Sequence, residues 1–448
     1  MKRQLFKKTI FFLAAVILAL TFCQNIHAWS WKKEGHKMDG KFKFPPLKDF
    51  GKDYLNFKSV YPPEEQDKNI IKIYNSSNVD EIKDLLAPNM YEIAKNPKEW
   101  NTDEWTIRLV KYKKIKVGGK FEEWTEKNKG RATLDENGGV TNYDGGYLPF
   151  HPDLIKEDDP QAGLKIAYNY YWGGRDNDDH NYSHSDTIVD RNWNERLTHG
   201  AWLETSITGR KFIEPMPNMP GNKKDIHRIQ IFGWANPYDI RGIIALSYRY
   251  DDPLKWDDQW LYIPAIRRAR RMSAAQRQDS TGTGDDATFD DLLGWYGKPL
   301  QYEWKYLGRR ETITQRMCRP LSMYKSKQLT GFDDYYQKVN MYVVEARPKE
   351  SVFGPHIYSK LWILIDPDTW WSTTVMYYDK RGNFWKSNFD YTCLAEPDSS
   401  YRVTNPMFID HQRKHHSDHR NFGTQANIGV PPEWFTLQKA RGFFGIQR

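Results

Sequence analysis

The sequence predicts an α+β fold dominated by an antiparallel β-sheet. From about residue 185 onward, short runs alternate apolar and polar residues, which is the period of half-buried strands. Two turn sequences, Asp366–Asp368 and Tyr378–Asn383, separate the later runs at the short spacing of an antiparallel meander. Helical periodicity is concentrated before residue 175. These observations place most helices before the sheet in the chain.

Strands are predicted where alternating, β-branched or aromatic residues are bounded by turn formers. An early strand is predicted at Trp105–Val117. The later predicted strands are Asp186–Asn192, Ala201–Thr208, Ile226–Trp234, Gly242–Tyr250, Gln259–Ile266, Tyr302–Thr312, Val339–Ala346, Leu361–Asp366, Ser372–Tyr378 and Asn383–Tyr391.

Helices are predicted at three places. Apolar residues at helical spacing on either side of Pro88 predict a pair of short helices within Asn78–Pro97. Asp159, followed by a proline, is a favourable start for a helix that Gly173 ends. Arg267–Gln278 contains small and basic residues that suit a third helix.

Residues 1–28 are predicted to be a cleavable signal peptide. A basic start precedes the apolar run Ile10–Leu20, and Ala28 is a small residue suited to cleavage. The run is shorter than the roughly 20 residues of a membrane-spanning helix. We therefore expect export to the periplasm. The mature chain is divided into an N-terminal helical and irregular region at 29–185, a curved antiparallel sheet core at 186–395 and a C-terminal extension at 396–448.

The charge of the chain gives little support to nucleic-acid binding. Loss of the signal's four basic residues lowers the formal net charge from +8 to +4 (8 − 4), and basic residues are interspersed with acidic ones. Aromatic residues make up 15% of the chain. This content suits a lipid-facing cavity, a sugar platform or an ordinary β-sheet core, and composition leaves all three open.

The sequence contains no motif of nucleophilic, metallopeptidase or nucleotide-dependent catalysis. Glu204, Glu303 and Glu345 lie on predicted strands and would form a glycosidase pair only if two of them faced each other at the required separation. Glutamates on half-buried strands are more often solvent-facing. We therefore expect neither enzymatic activity nor a cofactor.

Several segments carry a family resemblance. The run Trp260–Arg268 joins an aromatic strand to Pro264 and then to arginines, and Phe289–Leu292 and Tyr302–Gly308 come after it. Together with His356–Pro367, these segments resemble the exported family called domain of unknown function 1329. The resemblance extends from about residue 75 to about residue 395. That family is similar to the LolA/LolB lipoprotein carriers.

The resemblance implies an open half-barrel, in which helices pack on the concave side of a strongly curved antiparallel β-sheet over an apolar cavity. It therefore implies a periplasmic carrier of a lipid or other hydrophobic ligand, with an outer-membrane or inner-membrane transport protein as its partner. An exported carbohydrate-binding protein or glycoside-active enzyme, and a scaffold of an envelope complex, remain alternatives. We expect strand aromatics to line the cavity, namely Trp260, Tyr262, Trp304 and Trp362.

Four arginines come after the aromatic strand, namely Arg267, Arg268, Arg270 and Arg271. Because guanidinium groups suit phosphate, the cluster is a candidate site for an anionic head group or an acidic partner. Alternatively, it is the solvated start of a helix and pairs with carboxylates that lie further along the sequence. Those carboxylates are Asp285, Asp286, Asp290 and Asp291.

Two stretches rich in histidine or aspartate are candidate metal sites, and we expect both to be solvated surface segments. The first, residues 175–186, contains His180 and His184, but turn formers argue against the helix that would bring them together. The second stretch mixes histidines with basic residues. Its histidines are His411, His415, His416 and His419. No metal site is therefore predicted.

Cys318 and Cys393 remain after cleavage of the signal. In an oxidising compartment they either pair or stay as two half-buried thiols. A bridge would close 75 positions (393 − 318). It would contribute about 4 kcal/mol in the chain-entropy model. The sequence does not decide between these alternatives because it gives no distance between the two side chains.

Overall fold

The computed structural model describes residues 57–58, 63–102, 105–173, 177–281, 284–316, 334–395 and 400–444. The predicted signal peptide at 1–28, residues 29–56 and Cys318 lie outside these ranges. Within them, no helix combines the length and the apolar character needed to cross a membrane.

The strands of the described residues are numbered in chain order. They are β1 (Phe57–Lys58), β2 (Ile70–Tyr74), β3 (Ile107–Val110), β4 (Thr133–Leu134), β5 (Val140–Thr141), β6 (Asp179–Val189), β7 (Glu195–Ser206), β8 (Ile226–Asn236), β9 (Ile244–Tyr250), β10 (Asp258–Ile263), β11 (Arg268–Arg271), β12 (Tyr302–Gln315), β13 (Asp334–Pro348), β14 (Lys360–Ile365), β15 (Ser372–Tyr378), β16 (Phe384–Ala395), β17 (Ser400–Asp410) and β18 (His415–Ala426).

The helices are short by comparison with the strands. The α-helices are α1 (Pro63–Gln66), α2 (Pro88–Lys95), α3 (Phe121–Asn128), α4 (Ala162–Gly173), α5 (Glu350–Phe353) and α6 (Leu437–Phe443). The 3-10 helices are Asp67–Asn69, Val79–Leu85, Pro97–Trp100, Pro152–Leu154, Pro264–Ile266, Ala274–Gln278, Leu292–Gly294, Pro299–Gln301 and Pro432–Trp434.

Sixteen strands form one curved sheet in which nearly every pairing is antiparallel. The strand order is β11-β10-β9-β8-β7-β6-β18-β17-β16-β15-β14-β13, and β12 pairs with the other side of β13. β3 joins β13 in parallel and carries β2, whereas β1 pairs with β16. β4 and β5 form a separate hairpin. The predicted α+β fold with a large curved antiparallel sheet is confirmed.

The C-terminal segment contributes to the middle of this sheet. β17 and β18 lie between β16 and β6, so they join the strands of residues 179–271 to those of residues 302–395. The sheet also takes β2 and β3 from the region 29–185. The expected boundaries at residues 185 and 395 therefore do not coincide with the edges of the sheet.

One face of the sheet, which we call the inner face, is covered by α4 and by residues 284–301. Tyr170 of α4 shares a hydrogen bond with Ser372 Oγ (2.8 Å), and Tyr377 OH donates to the carbonyl of Gly294 (2.6 Å). Most residues of α4 are buried. A helix that is buried on nearly all sides needs cover beyond the sheet alone. The structure thus places a helix against the sheet, as the resemblance implied.

The opposite, outer face is covered at two places. Val79–Leu85 and α2 pack in a cluster with Phe389 and Met407. At the other end of the sheet, α6 and the residues before it pack in a cluster with Leu203. Both covers bury apolar side chains that alternate with inward-facing residues along their strands. The cover by α6 was not predicted from the sequence.

Candidate functional site

The four aromatic residues predicted to line one cavity lie in three separate hydrophobic clusters. Trp260 and Tyr262 belong to the outer-face cluster that α6 covers. Trp304 packs in the inner-face cluster with α4. Trp362 packs in a third cluster formed by β13, β14 and β15. The prediction of a common lining is therefore wrong.

The register of β10 explains where Trp260 and Tyr262 point. Trp260 pairs with Leu246 of β9, and Leu246 belongs to the outer-face cluster. Directly paired residues of antiparallel strands project to the same face, and successive residues project to opposite faces. Leu261 and Ile263, the alternate residues of β10, therefore face inward in place of the two aromatics.

Leu261 and Ile263 line a cavity of about 160 Å³ at this end of the inner face. The other apolar lining residues come from β8, the β8–β9 connection and the segment after β11; they are Trp234, Ile240, Ile243, Met272 and Phe289. The polar lining residues are Gln276, Asp279, Ser280 and Thr281. An apolar cavity of about 150 Å³ is known to take up benzene, so this cavity has room for one short apolar group.

Trp234 lines this cavity and also carries an unpaired polar atom. Its side chain is buried, and its indole Nε1 has no hydrogen-bond partner among the described residues. A buried donor without an acceptor costs about 1–3 kcal/mol. An acceptor atom supplied by a ligand would remove this cost. Sequence alternation placed Trp234 on a strand, but it does not reveal which buried donors lack an acceptor.

The arginine cluster lies on an edge hairpin, so the predicted helix at 267–278 is wrong. Arg267 occupies the turn with φ 49°, and the three remaining arginines belong to the exposed strand β11. The α-helix is replaced by this strand and by the 3-10 turn at Ala274–Gln278. The arginines are thus held on an extended backbone whose successive side chains alternate between faces.

Two of these arginines lie on the cavity side of the hairpin. Arg268 pairs with Ile263, and Arg270 pairs with Leu261. No hydrogen bond or ion pair of either guanidinium is found within the part of the chain that the structure describes. Arg271, on the outer face, instead pairs with Asp258. Arg268 and Arg270 are therefore available to an anion beside the apolar cavity.

The predicted pairing of the cluster with the later aspartates is also wrong, because these carboxylates contact other groups. Two of them contact histidines: Asp285 Oδ2 lies 3.0 Å from His419 Nε2, and Asp286 Oδ2 lies 2.6 Å from His415 Nδ1. Asp290 Oδ1 lies 2.7 Å from a guanidinium nitrogen of Arg277. Asp291 Oδ2 accepts a hydrogen bond from Tyr358 OH at 2.7 Å. All four aspartates are buried. Their role is to hold residues 284–301 against the inner face.

Of the two stretches expected to be solvated, the first is buried at its described residues and the second is buried in its later half. His180 and His184 lie on β6, every residue of which is buried, and His416 and His419 are buried on β18. The surface-loop prediction fails because β6 is an interior strand, covered on both faces. Polar residues in such a strand need internal partners.

Two acidic residues of the first stretch bind backbone amides. Asp178 accepts from the N–H groups of residues 211–213 at 2.7–2.8 Å. Asp179 accepts from those of residues 428–430 at 2.9–3.0 Å. Burial nevertheless raises the pKa of Asp179 to about 6. These carboxylates therefore stabilise loops, which is a structural role.

His184 and His419 lie on either side of the Asp186 carboxylate, between β6 and β18. His184 Nδ1 lies 3.0 Å from Asp186 Oδ1, and His419 Nδ1 lies 3.9 Å from the same oxygen. Burial opposes the charge of His419, but the carboxylates of Asp285 and Asp186 raise its pKa to about 10. The imidazolium of His419 thus links β6, β18 and the segment that covers the inner face.

The structure bears on the expectations about a metal site and a disulfide. No group of three or more His, Cys, Asp or Glu side chains within the described ranges is placed to hold a metal ion. Cys393 lies on β16, but its pairing with Cys318 stays a prediction because Cys318 is outside those ranges.

The glutamates considered as a glycosidase pair have other partners. Glu204 binds Arg228, whereas Glu345 accepts from Trp362 Nε1 (2.8 Å). Glu204 and Glu345 therefore have separate surroundings.

Comparison with known proteins identifies the family and leaves the activity open. The profile described as "protein of unknown function (DUF1329)" matches residues 74–435. An uncharacterised protein of Pseudomonas aeruginosa is 25% identical over 332 residues, which cover 69% of this chain and 67% of the relative.

Two solved structures are similar in arrangement. A DUF1329 family protein from Desulfovibrio piger has a TM-score of 0.47 at 17% identity, covering 62% of this chain and 98% of that one. A LolA superfamily protein from Nitrosomonas europaea has a TM-score of 0.37 at 14% identity, covering 61% and 97%. Because both TM-scores are below 0.5, neither likeness is evidence of function. The profile match extends over most of the chain, and the chain therefore belongs to the DUF1329 family of proteins of unknown function.

Proposed function

We propose that the protein binds an amphiphile whose apolar chain ends in the cavity beside β10 and whose anionic head contacts the β10–β11 hairpin. The observation that carries the proposal is the register of this hairpin. It puts Leu261 and Ile263, which line the cavity, on the same face as Arg268 and Arg270. Apolar lining thus lies beside two guanidinium groups that have no ionic partner among the described residues.

Each part of such a ligand has a matching group. The cavity of about 160 Å³ accepts the end of an acyl chain, and each methylene removed from water contributes about 0.8 kcal/mol. Arg268 and Arg270 would bind a carboxylate or phosphate through charge-assisted hydrogen bonds. Recognition of this kind needs no catalytic residue.

We place this binding in the periplasm, because the basic and apolar start of the chain has the pattern of a cleavable export signal. In this role the protein would act as a carrier that exchanges its ligand with a membrane transport protein. Exposed arginines at the entrance of an apolar site would bring the head group of a departing or arriving ligand close to a partner.

The test is calorimetric titration of the purified protein with decanoate, a single-chain anionic amphiphile. Leu261→Trp fills the cavity and is expected to weaken binding at least tenfold. The double variant Arg268→Gln with Arg270→Gln is expected to weaken binding several-fold and to reduce its dependence on salt, because surface charge interactions are screened. Circular dichroism melting of each variant verifies that it folds.

Neighbouring residues on the outer face serve as matched controls. Trp260→Ala and Arg271→Gln change the adjacent positions of the same hairpin but face away from the cavity. Both are expected to retain the affinity for decanoate. Loss of binding in these controls, or full binding by the folded Leu261→Trp and arginine variants, would contradict the proposed site.

A further inference from the structure

A second concavity lies between α4, the loop after β5 and the ends of β7 and β9. It has a volume of about 310 Å³, and its lining includes Tyr143, Asp144, Trp172, Thr208, Asn218 and Asp251. It shares no lining residue with the cavity of the proposed function. This aromatic cleft is therefore a separate site, and ligand binding in it does not depend on amphiphile binding.

The walls of the aromatic cleft are rings set at steep angles to one another. The ring of Trp172 lies 5.4 Å from that of Tyr143 with an interplanar angle of 68°. It lies 5.5 Å from the ring of Tyr171 with an angle of 86°. Tyr143 and Trp172 thus form a corner, whereas a flat sugar platform needs only one exposed ring face. The ring of Tyr171 supports this corner from behind, because it already has the Arg249 guanidinium 5.1 Å from its centroid and stacks on His227 at 5.6 Å.

Among the described residues, the charged groups that line the aromatic cleft are both carboxylates. They are Asp144 and Asp251, and no Lys, Arg or His belongs to this described lining. Asp251 Oδ1 accepts from Thr208 Oγ1 at 2.7 Å and lies 3.1 Å from His227 Nδ1. These two contacts orient the carboxylate. Burial raises the pKa of Asp251 to about 6, so it is mostly ionised at neutral pH.

The cations behind Asp251 are already paired with other groups. Lys298 Nζ donates to the carbonyls of Tyr250, Asp252 and Lys255 at 2.6–2.9 Å and lies 3.4 Å from Asp257. Arg228 forms a buried ion pair with Glu204. Asp144, at the rim, pairs with Arg131 at 3.1 Å, and both side chains are exposed. Asp251 is therefore the principal charge facing into the cleft.

We propose that the aromatic cleft binds an organic cation of the alkylated ammonium class. Aromatic faces attract such cations through the ring quadrupole, and groups of aromatic rings recognise quaternary ammonium ligands. A carboxylate beside the rings adds Coulomb attraction. Alkyl groups around the nitrogen match the apolar walls, whereas a saccharide would leave the carboxylate charge without a cationic partner.

The experiment compares choline with 3,3-dimethylbutan-1-ol, its neutral isostere, by titration calorimetry of the purified protein. Choline is expected to bind at least tenfold more tightly than the isostere. Asp251→Asn keeps the shape of the side chain and removes its charge, and it is expected to weaken choline binding at least tenfold. Asp239→Asn, an exposed carboxylate in the β8–β9 connection, is the matched control and is expected to bind normally.

Every other outcome overturns the proposal. Equal affinity for choline and its isostere would mean that the cleft recognises shape alone, and binding of glucose or maltose without choline would assign it to saccharides. If Asp251→Asn fails to fold, the native protein is titrated with choline at rising salt concentration, and an affinity that does not fall with salt would reject a cation site. Decanoate binding by the same variants reports separately on the proposed function.

Discussion

Asp390 illustrates how a single buried carboxyl group is accommodated on the inner face. Its Oδ2 accepts from Trp371 Nε1 and from Ser372 Oγ, both at 3.1 Å. Its Oδ1 has no hydrogen-bond partner within the described ranges. Burial raises the pKa of Asp390 to about 7, although Trp371, Asn388 and the nearby His419 act in the opposite direction. The folded protein therefore holds this group in its neutral form at mildly acidic pH.

This pKa predicts a pH-dependent stability. In the unfolded chain Asp390 ionises near its usual pKa of 3.8, whereas in the folded protein it ionises near 7. Because the folded pKa is raised, the stabilisation is complete below about pH 4 and is lost as the pH rises to about 7. Each unit of pKa difference is worth about 1.36 kcal/mol, so the difference between the unfolded and folded pKa values of Asp390 corresponds to about 4 kcal/mol of unfolding free energy.

Asp390→Asn resembles the protonated acid and should remove this dependence. We expect the free energy of unfolding of the variant to rise relative to the native protein between pH 4 and pH 7, as measured by urea denaturation at several pH values. Glu303→Gln, which makes the same charge change at an exposed position of β12, is the control. Parallel pH profiles for Asp390→Asn and the native protein would refute the assignment.

At the scale of elements, the contact between α4 and β12 depends on Gly163. A Cβ atom at this position would lie 2.9 Å from the backbone nitrogen of Tyr306 and 3.0 Å from backbone atoms of Lys305. These neighbours are main-chain atoms of a paired strand and do not yield as a flexible side chain would. The glycine lets the helix approach the strand closely.

Gly163→Ala is therefore expected to lower the free energy of unfolding by about 1–3 kcal/mol, the usual cost of overpacking. Chemical denaturation followed by tryptophan fluorescence measures the change. Gly442→Ala in α6 is the matched control, because a Cβ there meets nothing within 4 Å. Its stability should be unchanged or raised by up to about 1 kcal/mol. Equal effects of the two substitutions would show that close approach is not the reason for Gly163.

At the scale of the whole molecule, the C-terminal hairpin determines whether the sheet is continuous. β17 and β18 occupy the centre of the strand order and pair with β16 and β6. Their removal would leave two groups of strands with unpaired edges in place of one sheet. Unpaired edges promote aggregation.

A chain that ends at residue 395 is expected not to fold cooperatively, as judged by thermal denaturation followed by near-ultraviolet circular dichroism. A chain that ends at residue 431 retains all strands and loses α6, so it should unfold cooperatively at a lower temperature. It would also expose the outer-face cluster that contains Trp260 and Tyr262. A native melting curve for the shorter chain would contradict a central role for the hairpin.

Several features were determined by the sequence itself because they depend on neighbouring residues. Alternation placed most strands from β6 to β16, since the side-chain period of a strand is a local property. The helical pair near Pro88 and the helix that ends at Gly173 were likewise predicted from spacing and from end signals. The family resemblance added that the sheet is curved and that a helix packs against it.

Only the tertiary structure decided which face each residue occupies and which strands are neighbours. Register is set by long-range pairing, and a shift of one residue exchanges the two faces, so Leu261 and not Trp260 lines the cavity. The same long-range pairing buried His419 and drew the C-terminal strands into the centre of the sheet. Polar sequences can form interior strands when partners distant in the chain satisfy them, and no local pattern encodes those partners.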